Sequence, residues 1–313
     1  MELVKPIILV EGPDGAGKTT LARELAVALK VPYYHSGPPE TKDPLTEYWQ
    51  YTKRLLVDGG VVDRFYLGEL VYGPLRRQAS YPDRFPWLLL ELFLFKLGAL
   101  QVILTGDVAT LRSRKQEQSV EQLLEEKRAY DKVWHWSKMR NIVFTADYFQ
   151  HRQRQLVEAV LKEYEAVPRC PVWLAHTDGI GQISRPAAML LAHERNGLSG
   201  PNVVLNSPAG RYLFEAIAIA GVDPRALFIV NVLQSSGRDE LRTAVGLRTW
   251  DAVEPLLVVA LGEQAAKLSS GSVHAVVPHP QWCRRFRHND TKRYGEVLKQ
   301  AIEIGQSCSV KEF

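Results

Sequence analysis

Cysteine is scarce in this chain, with only Cys170, Cys283 and Cys308 among 313 residues. The three stand without ligand-like spacing, which argues against a zinc site and a disulfide framework and sets the expectation of a reducing cytoplasm. Long apolar runs are missing too. The richest stretch, Trp87 to Leu94, is short and broken by Glu91, so no segment approaches the roughly 18 residues of a membrane span. The opening residues carry Glu2 and Lys5 and run directly into an apolar strand pattern, without a signal-peptide layout. Internal repeats and low-complexity tracts are also absent. Nor is there a large excess of one charge: the net value is +4, too small to name a nucleic-acid partner by itself. The distribution says more. Arg284, Arg285, Arg287, Lys292 and Arg293 cluster against a single acid, Asp290. Such a cluster either neutralises phosphates or forms a solvated helix end.

What is present reads as a two-domain α/β protein. Hydrophobic residues make up 46% and charged residues 24%, a globular balance. A length of 313 residues fits two domains of ordinary size. Strand and helix signals alternate through both halves, which predicts parallel sheets covered by helices. In the first half Ile7 to Val10, a strand ending at Val61-Val62, Gln101 to Leu104 and Ile142 to Phe144 read as strands. Leu21, Leu25 and Leu29 mark one helix face, Trp87 to Leu97 a buried helix, and 150–164 a closing helix. Two prolines between Glu165 and Pro171 break the pattern, giving expected domains of 1–165 and 172–313. In the second half the expected strands are Ala188 to Ala192, Leu227 to Val232, Leu256 to Leu261 and Val273 to Val277.

Gly12-Pro13-Asp14-Gly15-Ala16-Gly17-Lys18-Thr19, followed by Thr20, fits the phosphate-loop pattern G-x-x-x-x-G-K-[ST] in full, between a strand and a helix. Its glycines let backbone N–H groups turn toward phosphate oxygens, and the helix N-terminus adds partial positive charge. Lys18 is expected to reach the β- and γ-phosphates of ATP, and Thr19 to ligate Mg²⁺. From Glu11 to Thr20 the segment resembles the phosphate loop of thymidylate kinases. A second match is Asp63-Arg64-Phe65 after Val61-Val62, which resembles that family's Asp-Arg-aromatic motif. The resemblance implies that Asp14 lies near the acceptor and that Arg64 holds an acceptor phosphate. Asp63 either organises Mg²⁺ and the attacking hydroxyl or caps a helix. Glu69, Arg76 and Arg77 are candidate acceptor-side groups, the arginines alternatively surface charge. Arg112, Arg114 and Lys115 resemble the family's arginine-bearing lid, although Gln116 to Gln118 replaces its glycine-containing turn.

The second half resembles the family 4-like branch of the uracil-DNA glycosylase superfamily. The matching segments are Leu190 to Gly197, Ser207 to Leu213, Phe228 to Val232 with Asn231, Val258 to Gly262, and Val276 to Pro280 with His279. The resemblance implies that Asn231 reads a pyrimidine edge and that the His279 loop approaches a flipped nucleotide. Glu194 matches the family's acidic position. The family's four cluster cysteines are missing, and His193 and Asn196 depart from its first motif. Read from the residues alone, Asn231 and His279 are either a base pocket or polar residues at strand ends.

Together the halves resemble the 5-hydroxymethyluracil DNA kinases of bacteriophages. The implied reaction is ATP- and Mg²⁺-dependent phosphorylation of the base hydroxymethyl group in DNA, in the cytoplasm of the bacterial host. Within that reading Glu194, Asn231, His279, Arg284 and Arg285 serve DNA and base. Two alternatives stay open: a deoxynucleoside monophosphate kinase with an accessory module, and a DNA glycosylase or repair module whose first half only senses nucleotide.

Overall fold

The structure, a computed structural model, describes residues 2–41, 43–145, 153–176, 179–194, 207–233, 253–269, 273–286 and 290–309. The chain divides into two compact units, Met1–Pro171 and Val172–Phe313.

The first unit is built on a five-stranded sheet of β1 (Ile7–Glu11), β2 (Tyr33–His35), β3 (Gly60–Asp63), β4 (Leu100–Thr105) and β5 (Arg140–Thr145). Their order is β2-β3-β1-β4-β5, and every pairing is parallel. β1 reads IILVE and is buried at every position, as a central strand covered on both faces must be. The helices are α1 (Lys18–Leu29), α2 (Pro44–Asp58), α3 (Tyr66–Arg77), α4 (Phe85–Leu97), α5 (Val108–Arg114), α6 (Val120–Trp136) and α7 (Gln153–Glu165). Leu21 and Leu25 of α1, Leu111 of α5, Leu123 of α6 and Val160 of α7 pack with Ile8, Val61 and Val102 in one apolar cluster. A second, aromatic cluster joins α2, α3 and α4. Tyr48 meets Phe65 edge-on at 4.9 Å between centroids, and Tyr66 stacks with Trp87 at 6.4 Å. The unit is thus a parallel sheet with helices packed against it and a glycine-rich loop between β1 and α1.

Local chemistry explains several of the boundaries. Ser119 and Gln122 form a reciprocal capping box at the start of α6. Asp107 caps α5 by accepting from the Thr110 amide. The start of α3 is capped from a distance, because Glu11 Oε1 accepts from the amides of Phe65, Leu67 and Gly68 at 2.8, 3.1 and 3.4 Å. Asp63 is therefore not a helix cap; it ends β3.

The second unit holds β6 (Ile180–Gly181), β7 (Ala188–Glu194), β8 (Leu227–Leu233), β9 (Val258–Leu261) and β10 (Ala275–Val277) in the order β10-β9-β7-β8-β6. The sheet is mixed rather than parallel throughout, since β6 pairs antiparallel with β8. Its helices are α8 (Val172–Ala175), α9 (Pro208–Ile219), α10 (Glu263–Leu268), α11 (Pro280–Phe286) and α12 (Thr291–Ser309). Ser207 caps α9 by accepting from the Gly210 amide at 3.1 Å. No helix among the described residues is long and apolar enough to cross a membrane.

Candidate active site

The carboxyl ends of the first sheet converge by register. His35 lies level with Asp63, Asp63 with Val10, and Val10 with Val102. The phosphate-loop motif and the Asp63-Arg64 turn leave this row, at a point where strand order reverses.

Gly12 and Gly15 let the loop between β1 and α1 curl. Both have positive φ, 140° and 81°, and a Cβ on Gly12 would sit 2.0 Å from the Leu104 carbonyl oxygen. Only glycine fits there. Gly17 serves as the N-cap of α1, and Ala16 is buried beneath the loop. Lys18 is buried, with its ammonium donating to the Pro13 carbonyl at 2.7 Å and 3.7 Å from Asp14 Oδ1. Burial, then the nearby Arg64 guanidinium, lower the Lys18 ammonium to about 8 against the pull of Asp14, Asp63 and Glu11. An anionic ligand would reverse that balance. Thr19 and Thr20 lie exposed on the first turn of α1.

Asp63 is fully buried and collects three contacts on one oxygen. Thr19 Oγ1 donates to Oδ2 at 2.5 Å, the Tyr33 hydroxyl donates at 3.1 Å, and His35 Nδ1 lies at 3.1 Å. Its Oδ1 is buried with no hydrogen-bond partner among the described residues. A carboxylate oxygen left open beside a threonine hydroxyl is the donor set a hard cation takes, so these residues fit Mg²⁺.

Arg64 adopts a left-handed conformation at φ 67° and pairs with Asp14. Its guanidinium lies 5.4 Å from the centre of the Tyr72 ring. Burial would raise the Asp14 carboxyl, but Lys18, Arg64 and Lys115 outweigh it and hold the group below its usual range. Beside this pair opens a pocket of about 310 Å³, with Tyr48, Phe65 and Tyr72 as aromatic walls. Glu69, Arg76 and Arg77 of α3 also line it. Glu69 pairs with Arg77 and accepts from the Tyr81 hydroxyl.

Two side chains that join this cluster escaped sequence reading. Glu126 of α6, almost wholly buried, pairs with Arg76 and accepts from the Tyr72 hydroxyl at 3.2 Å. The Gln118 amide spans Asp14 and Glu126 at 3.4 and 3.3 Å, in the turn that departs from the thymidylate kinase lid. No local pattern announces Glu126; it sits in a helix of ordinary charge alternation. Of the lid candidates, Arg114 reaches the phosphate loop, donating to the Gly15 carbonyl at 3.2 Å. Arg112 is exposed on the last turn of α5, and the Lys115 ammonium pairs with Glu117 at 3.3 Å.

In the second unit, Asn231 is buried on β8 level with Ala192 of β7. Leu191 is level with Ala260, and Leu261 with Val277, so one row crosses four strands. Glu194 and His279 each stand two residues beyond that row, on the same carboxyl edge. His279 Nδ1 accepts from the Gln281 amide at 3.1 Å. Arg195, Asn196, Gly197 and Arg287 lie outside the described residues. Arg284 and Arg285 occupy the last turn of α11. On either side of them in sequence, Trp282 and Phe286 are 43% and 66% exposed, with ring centroids 6.0 Å apart. Lys292 and Arg293 begin α12, where Asp290 accepts from the Arg293 amide at 3.1 Å.

No protein-family model matches the chain, and no curated protein matches it. Among solved structures, YorR protein from Bacillus subtilis in complex with phosphorylated GDP aligns at 19% identity and a TM-score of 0.45. That alignment covers 51% of this chain and 95% of the other. Deoxyadenosine kinase from M. mycoides with bound dCTP aligns at 17% identity and a TM-score of 0.35, over 50% and 98% of the two chains. The same enzyme with bound dATP gives 15% and 0.35.

Proposed function

We propose that the first unit is an ATP- and Mg²⁺-dependent phosphotransferase, and that its acceptor is the hydroxymethyl group of 5-hydroxymethyluracil in DNA. The observation that carries the phosphotransferase reading is the 2.5 Å contact between Thr19 and Asp63 at the mouth of the phosphate loop. It sets two oxygen ligands beside the cradle for the triphosphate. A bound Mg²⁺ would neutralise charge on the β- and γ-phosphates there. Lys18 and the loop amides hold the γ-phosphoryl group, and Arg114 and Arg112 stabilise its developing charge. Asp14 or Asp63 orients the acceptor hydroxyl and takes its proton. The hydroxyl oxygen forms the new bond to the γ-phosphorus as the β–γ bridging bond breaks, and ADP departs with the electron pair.

The acceptor assignment rests on the sequence resemblance of both halves and on the aromatic walls of the pocket, which suit a pyrimidine ring. In a duplex the base is out of reach, so it is flipped or presented single-stranded. The second unit binds DNA through Arg284, Arg285 and the exposed Trp282–Phe286 pair, and reads the base with Asn231 and His279, Glu194 lying on the same edge. With radiolabelled ATP, label should enter DNA containing 5-hydroxymethyluracil and stay out of thymine DNA. Efficient labelling of free dTMP with none in modified DNA would establish a monophosphate kinase instead.

A further inference from the structure

We infer that the pocket beside the phosphate loop takes a hydroxyl-bearing group without a phosphate of its own, an uncharged nucleoside or modified base, and disfavours nucleoside monophosphates. The inference rests on the reading of this pocket as the acceptor site. Each arginine at the pocket is already matched by a carboxylate. Arg64 is paired with Asp14, Arg76 with Glu126 and Arg77 with Glu69. The formal charge of these six side chains is zero.

The pairs are not loosely held surface contacts. The side chains of Glu126 and Glu69 are 1% and 3% exposed, behind arginines that are 40% and 36% exposed. Each carboxylate has a further donor: the Tyr72 hydroxyl and the Gln118 amide on Glu126, and the Tyr81 hydroxyl on Glu69. A phosphate dianion entering the pocket has two options. It can recruit an arginine away from its carboxylate, which leaves a buried charge uncompensated. Or it can sit among pairs whose own charges cancel, which do not repay its lost hydration. A neutral acceptor meets neither cost. It packs against the aromatic lining and uses the arginine N–H groups that the ion pairs leave over.

The test measures binding separately from turnover. Calorimetry in saturating Mg²⁺ and ADP, which fill the donor site, compares 5-hydroxymethyl-2′-deoxyuridine with its 5′-monophosphate. The nucleoside should bind at least about tenfold more tightly. Glu126→Gln releases Arg76 and should shift that ratio by about tenfold or more toward the monophosphate. Arg76→Gln combined with Glu126→Gln restores neutrality and should return the original ratio. Glu69→Gln, acting through Arg77, gives the same readout if Glu126→Gln fails to fold. Equal or tighter binding of the monophosphate to the parent protein would overturn the inference. So would a ratio unmoved in folded variants, or failure of both ligands to bind. Transfer of label from ATP reports on the phosphotransferase reading alone: binding with the expected preference but no transfer to any acceptor would sink that reading and leave the pocket's selectivity standing.

Discussion

Lys18 illustrates how a residue's burial and its role are linked. The ammonium lies under the phosphate loop, lowered to about 8 by burial and by Arg64. Its charge is therefore held ready for an anion that the fold itself does not supply. Lys18→Ala should lower phosphotransfer at least about 100-fold, since lost transition-state stabilisation of a few kcal/mol has that effect. DNA binding measured by fluorescence anisotropy should stay close to that of the parent. Two carboxyls tell a different story. Glu11 and Glu91 are fully buried, and burial raises both to about 7. Each is thus protonated in the folded state and ionised in the unfolded state between about pH 4.5 and 7. The folded state binds more protons in that window, so its stability falls as pH rises through it. The contribution is on the order of 3 kcal/mol per group at most. Glu11→Gln and Glu91→Gln together should flatten the fall in melting temperature between pH 5 and 7, measured by scanning calorimetry.

At the scale of elements, contiguous signals were readable and assembled ones were not. The phosphate loop and the strand before it lie in one unbroken stretch, Ile7 to Thr19, and β1, β4, α1 and α4 follow from their apolar patterns. β2 is three residues long and half-exposed, which leaves neither a run nor an alternation to find. The two-residue β6, which makes the second sheet mixed, gives still less. Asp63 could be found because the strand before it ends in a recognisable motif. Glu126 could not, because what makes it notable is Arg76, fifty residues away. The same contrast applies to α11. Its basic residues were visible as a cluster, but the exposure of Trp282 and Phe286 alongside them required the fold. Flat aromatic faces beside cations suit unstacked bases. Replacing Arg284 and Arg285 by Gln should weaken DNA binding and reduce the slope of log K against log salt by up to about two. Trp282→Ala should weaken single-stranded binding by about 1–3 kcal/mol with the slope retained. Filter-binding titrations across a salt series separate the two effects.

For the whole molecule, the two units raise a question of chemical compatibility. Excision of a base would destroy the acceptor that a DNA-base kinase needs, so the second unit should recognise without cutting. Oligonucleotides containing uracil or 5-hydroxymethyluracil, incubated with the protein and treated with hot alkali, should show no strand breaks above background. Breaks that vanish in Glu194→Gln would reveal an active glycosylase. Asn231→Ala should reduce labelling of modified DNA, by about 1–3 kcal/mol in effective discrimination, while ATP affinity holds.

The long-range cap on α3 has a consequence for how the first unit is assembled. Glu11 and Phe65 are 54 residues apart in sequence, yet one carboxyl oxygen holds the first turn of that helix. The turn therefore gains its partner only after β1 and β3 have come together. The cap of this helix therefore depends on loop closure, unlike that of a helix that carries its own. Arg64, one residue before that turn and strained at φ 67°, takes its final conformation in the same event. The Arg64 side of the pocket is in this sense a product of tertiary assembly: a chain whose sheet has not closed has its phosphate-loop sequence intact but no fixed wall beside it.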